Sequence, residues 1–218
     1  MFETLFAKTF LLLTLSLFTA YIGSLFAFKK MKHAIEEGRP EKIKGQMYAA
    51  IIANIIAFVL LMFLGERTPL NMILMFVFTI SSGFTLGIYT TQYGDVAQKA
   101  VALTAGTTLL TGLLASFSNI DFTGLGKILG IVLIIFVIIS IIRIFVKIRG
   151  TGHKLLASVG VLLFTGYLLY DFSRLAKLKA VAAANNWETA LNFAISIYLD
   201  IINLLMQLMQ LLSSSSSN

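Results

Sequence analysis

Long apolar runs alternate with short polar breaks along this chain. At about 1.5 Å per residue, roughly 20 apolar residues in a helix cross the ~30 Å hydrocarbon core of a bilayer. Seven runs meet that length: about Ala7–Phe28, Gln46–Leu64, Leu70–Thr90, Ala97–Phe117, Leu125–Val146, Leu155–Leu175 and Thr189–Leu212. The breaks carry the polar residues. Lys29–Gly45 reads as a charged connector, within which Pro40 is expected to start a new helical segment. GERTP closes the second run, Asp95 is placed to cap the fourth, and SNIDFTG, KIRGTGHK and KLKAVAAANNW separate the rest. The pattern predicts an all-α, polytopic seven-helix membrane bundle over residues 1–212, with 213–218 as a disordered Ser-rich tail.

The seventh run departs from pure hydrophobicity in an ordered way. Ser196, Asp200, Asn203, Gln207 and Gln210 are spaced 4, 3, 4 and 3, which puts all five on one helix face. The remaining faces are Leu, Ile, Met and Phe. A carboxylate in hydrocarbon costs about 3 kcal/mol on insertion scales. This helix therefore has to turn its polar face to protein or water, and it is expected to be the central helix of the bundle, lining a polar core.

Composition sharpens the class. Of 218 residues, 58% are hydrophobic and only 12% charged, against roughly 25% charged in soluble domains. The net charge of +7 belongs to loops facing lipid headgroups and is no nucleic-acid signal. With no cysteine, disulfides and thiolate chemistry are excluded. No cleavable signal peptide is evident, because no small-residue cleavage site follows the long first run. Eleven of the seventeen Lys and Arg fall in connections one, three and five, so the basic-residue rule alone places that side in the cytoplasm.

Candidate chemistry is sparse. Spans three and four are rich in Ser, Thr and Gly, which serve close helix packing, or alternatively line a pore. Asn54, mid-span in the second run, is either a packing residue or a partner for an amide on the seventh-run stripe. Asp171, near the end of span six, either pairs with Arg174 at i+3 or meets Asp200. Asp200 itself is either a packing residue bonded to span-four hydroxyls or half of that pair. Arg67, between spans two and three, reads most simply as a headgroup contact. Spans six and seven are joined by a short connector and so are antiparallel neighbours; the spacing leaves open whether the two aspartate depths match. If they do, both carboxylates cannot ionise cheaply in one low-dielectric site. The pair would then sense protons, and when ionised would hold a divalent cation such as calcium.

Other chemistries fail on their residues. An intramembrane aspartyl protease needs a Gly-x-Gly-Asp element, whereas Ile197, Tyr198 and Leu199 precede Asp200. His33 and His153 have no ligand-spaced companion for zinc, and no phosphate-cradling glycine loop occurs. The chain is not expected to be an enzyme or to need a cofactor.

Four stretches carry a family resemblance: Phe76–Tyr89, TAGTTLLTGLLA with the following DFTGLGKIL, Leu162–Leu175, and Ala190–Leu212, with its YLDIINL. They are similar to the transmembrane Bax inhibitor motif family, also called the Bax inhibitor-one family. The first two spans and the basic connector match it poorly. The resemblance implies a seven-helix fold with a central C-terminal helix. It also implies a pH-sensitive calcium leak gated by an aspartate dyad, which Asp171 and Asp200 match. An arginine after span two, near Arg67, would bridge to the dyad when closed. It implies a cytoplasmic N-terminus, opposite to the basic-residue count.

The expected function is thus a pH-modulated calcium leak channel, probing calcium and protons through a bilayer. The alternative is a cytoprotective, non-transporting regulator or scaffold bound to a membrane protease or cell-death component. A third, a proton-coupled antiporter, would show saturable, gradient-driven exchange. A monomer is expected, in the plasma membrane of a prokaryote or an endomembrane of a eukaryote.

Overall fold

A computed structural model describes residues 3–39, 41–63, 68–118, 120–145, 151–178 and 181–215. These form seven long helices: α1 (Leu5–Glu36), α2 (Lys42–Phe63), α3 (Thr68–Tyr93), α4 (Asp95–Phe117), α5 (Gly126–Phe145), α6 (Thr151–Leu178) and α7 (Trp187–Ser215). Short 3-10 turns at Phe122–Leu125 and Ala182–Ala184 precede α5 and α7. All seven helices are long and apolar enough to cross a membrane, and the chain is a multi-pass membrane protein. The helices group into two compact units.

The first unit holds α1, α2, α3 and the opening turns of α7 to Ile195. Its main seam is α1 against α3. On α1 the buried Leu5, Thr9, Leu12, Ser16, Ala20, Gly23 and Ala27 recur every three or four residues. Small residues there let the two backbones approach, which in lipid is what drives helix association. A Cβ on Gly83 would strike the Ala20 backbone, and one on Gly87 would meet Ser24 O at 2.6 Å. The glycines of span three are thus packing residues. Across the same seam the Thr19 and Thr79 hydroxyls share a 2.6 Å hydrogen bond.

The charged connector is shorter than the hydrophobic pattern predicts, because α1 runs on through Lys29–Glu36. Nothing in that stretch breaks a helix, and a Lys32–Glu36 ion pair and a His33–Glu37 contact at i,i+4 support it. It stops at Gly38, in the left-handed region at φ 68°, where Arg39 N–H bonds Ala34 O and Gly38 N–H bonds Ile35 O. Pro40 lies outside the described residues.

The second unit holds α4, α5, α6 and α7 from Ser196 onward. α4 lays Ala97, Ala100, Thr104, Thr111 and Ala115 inward along one face, and a Cβ on Gly112 of α4 would meet the Phe172 ring of α6 at 3.6 Å. Phe136 of α5 meets Phe164 of α6 edge-on. α7 is the most buried span: half of its apolar window is enclosed, against 6% for α5. A helix carrying Asp200, Asn203, Gln207 and Gln210 within its apolar span needs that enclosure.

Candidate functional site

Several buried hydroxyls of the spans are satisfied within their own helices. Ser16, Ser81, Thr104 and Thr111 each donate to a carbonyl three or four residues back on their own helix. That is the usual resolution for Ser and Thr inside a transmembrane helix. Asn54 likewise has a local partner. Its amide donates to Phe78 O at 3.0 Å and reaches Ser81 Oγ at 3.4 Å, tying α2 to α3 rather than to an α7 amide.

The acidic residues behave differently. α6 buries Asp171 and α7 buries Asp200, each under a tenth exposed, and their carboxyl groups lie within hydrogen-bonding reach of one another. Both residues belong to the second unit. As a bare carboxylate, Asp200 leaves Oδ2 buried with no donor; a proton held between the two acids supplies one. Such a pair titrates as a unit rather than as two independent groups.

Among the described residues, Arg174 is the cation at the pair. Arg174 Nη1 lies 3.4 Å from Asp171 Oδ1, one turn along α6, and its side chain remains 44% exposed. Its guanidinium also covers the Tyr170 ring at 5.3 Å. Tyr167 completes the surroundings, close enough to interact electrostatically with both Asp200 and Asp171. Tyr167, Tyr170, Asp171 and Arg174 stand at i, i+3, i+4 and i+7, one face of α6. Sequence reading missed the two tyrosines, although this spacing marks them. Gly126, at the start of α5, makes room for Tyr170, since a Cβ there would lie 2.6 Å from the ring. Arg67 lies outside the described residues.

The rest of the α7 stripe is graded. Asn203 donates to Leu199 O of its own helix. Gln207 is 6% exposed, with its Oε1 buried and unpartnered, and Gln210 Oε1 is in the same condition. Ser196 is half-buried. Among the described residues no cluster of three or more His, Asp or Glu forms a ready-made metal cage. Any divalent ion here would rely on two carboxylates and neutral oxygens.

Just outside the apolar span, Asp121 anchors the turn before α5 to the end of α6. Lys177 Nζ donates to Asp121 Oδ2 at 2.6 Å and to Thr123 Oγ1 at 2.9 Å. The Lys177 hydrogen bond, helped by Thr123, holds the Asp121 carboxyl down at about 2.

Comparison with known proteins covers almost the whole chain. The profile of a family described as "Inhibitor of apoptosis-promoting Bax1" matches residues 3–217. An uncharacterised protein of Campylobacter jejuni is 32% identical over 158 residues, 70% of this chain and 65% of that one. The chain thus spans just under two thirds of that relative. A protein of Arabidopsis thaliana named BI1-like protein is 30% identical over 67% of this chain and 57% of its own. The Golgi anti-apoptotic protein of vaccinia virus is 31% identical over 92% of this chain and 80% of its own. With its seven membrane-spanning helices and this match from end to end, the chain belongs to the Bax inhibitor-1-like family of inhibitors of apoptosis-promoting Bax1.

Proposed function

We propose that the chain is a passive, pH-sensitive leak channel for calcium, gated by Asp171 and Asp200. One observation carries this reading: two carboxyls from different helices meet at hydrogen-bonding distance, buried in a membrane-spanning bundle. With one proton between them, the acids bind α6 to α7. With none, two like charges face each other in a poor dielectric, balanced only in part by Arg174. The two protonation states therefore favour different α6–α7 contacts, which is what a two-state gate requires. The ionised pair also offers hard oxygens to calcium as the transported ion, with amide and backbone oxygens available to extend the set.

The test is calcium flux into proteoliposomes. Between about pH 6 and pH 8 wild-type flux should change with pH, and Asp171→Asn and Asp200→Asn should each flatten that response. A pH-independent wild-type flux, or variants that respond as wild type does, would overturn the gate.

A second reading is supported by the viral relative, whose name is that of an anti-apoptotic protein. On that reading the chain is a non-transporting membrane regulator that binds another membrane protein. A purified chain silent in flux yet retaining one specific membrane partner would favour it.

A further inference from the structure

The α7 polar face continues past the aspartate pair, and its next buried side chain has an unusual seat. Gln207 follows Asp200 by seven residues, about 10 Å along a helix and within about 20° of the same face. Its side chain lies across Gly160 of α6. A Cβ on Gly160 would sit 2.6 Å from Gln207 Cγ, 2.8 Å from Cδ and 2.9 Å from Oε1. The glycine thus forms a notch that holds the amide. Yet the amide is not there as a packing group with its polarity satisfied, since Oε1 is buried without a partner. Several buried hydroxyls, such as Ser16, Thr104 and Thr111, bond a carbonyl of their own helix, whereas Thr9 Oγ1 and Thr108 Oγ1 stand singly without a partner. On α7 three such oxygens, Asp200 Oδ2, Gln207 Oε1 and Gln210 Oε1, fall together on this one face.

We propose that the Gln207 amide, held in the Gly160 notch, is a second oxygen station on the cation's route, one step beyond the aspartate pair. Its carbonyl oxygen is the kind of hard, neutral ligand that replaces part of a cation's water shell. Neutrality matters at this depth. A charged second station would trap a divalent ion, whereas a dipole holds it weakly enough to leave. Gly160 is the positioning residue, because any larger side chain would drive the amide out of its seat. This inference rests on the leak-channel reading and assigns the ion a place to go after the gate.

The chain has no cysteine, so single-cysteine variants of the full chain in proteoliposomes report water access directly. Gln207→Cys should react with a charged, membrane-impermeant thiol reagent. Leu204→Cys, at a fully buried apolar position on the same helix, should not. Calcium flux gives the second readout. Gln207→Leu should lower flux about tenfold, the scale of one lost polar contact, and Gln207→Glu, whose charge would trap the ion, should lower it too. Gly160→Ala should follow Gln207→Leu. If Gln207→Cys stays unmodified, or Gln207→Leu conducts as wild type does, the station is overturned and the gate is untouched. If wild type conducts no calcium, the gate reading falls, and labelling alone decides the amide: modification supports a hydrated station, and its absence overturns that as well.

Discussion

Lys8 and Asn185 join the start of α1 to the connector that leads into α7. Lys8 Nζ donates to the Asn185 backbone carbonyl at 2.9 Å and to its side-chain oxygen at 3.0 Å. Asn185 returns a 2.6 Å bond from its amide to Glu3 O. The same ammonium stands 5.7 Å from the ring of Trp187, the first residue of α7. One side chain therefore latches two chain segments far apart in sequence. Lys8→Met should lower stability by about 1–2 kcal/mol, the scale of a charge-assisted hydrogen bond. Trp187 is the one tryptophan in the chain, so its fluorescence should change with the variant and report the melt. An unchanged emission spectrum and melting temperature would refute the latch.

Gly83 and Gly106 make opposite predictions from the same residue type. Gly83 has the Ala20 backbone where its side chain would be, whereas nothing lies within 4 Å of a Cβ on Gly106. Gly83→Ala should destabilise by about 1–3 kcal/mol through overpacking. Gly106→Ala should be neutral or slightly stabilising, by up to about 1 kcal/mol of helix propensity. Thermal unfolding in detergent ranks the two.

The Asp121–Lys177 clasp should not contribute to the pH response of flux. Its carboxyl is depressed in the folded state to about 2 from an ordinary 3.8. A depressed carboxylate adds stability above its unfolded value and loses it only as pH falls through the folded one. Near neutrality the clasp is constant. Asp121→Asn should therefore leave the flux–pH profile of wild type in place, in contrast to either dyad variant.

Gly126→Ala should disturb the dyad from outside it. The added methyl meets the Tyr170 ring, over which Arg174 lies, and Arg174 is the cation beside Asp171. Gly124→Ala, two residues away and facing open space, is the matched control. A flux–pH profile altered by the first and not by the second supports the chain of contacts; identical profiles would break it.

Much of this was legible in the sequence, for physical reasons that differ between parts. Seven spans follow from apolar length alone, and the burial of α7 from the cost of placing Asp200 in lipid. Asp171 and Asp200 could be named because carboxylates are rare in such helices, but their meeting could not: it depends on the register of α6 against α7, set by side-chain volumes such as the notch at Gly160. The stop of α1 at Gly38 was missed because hydropathy marks where lipid ends, not where a helix ends. The sequence leaves the partner of Asn54 open, between packing and an α7 amide, for a related cause. A mid-span amide announces that it needs a hydrogen bond, not which neighbour supplies it.

The hydroxyls that bond back to their own helices bear on how the protein is made. A span that satisfies its own serines and threonines can leave the translocon singly and wait in the bilayer with no polar debt. α7 has no such independence, since the oxygens of Asp200, Gln207 and Gln210 find no donor on their own helix. Its stable insertion is therefore an act of assembly, dependent on α6 already being in the membrane to receive it.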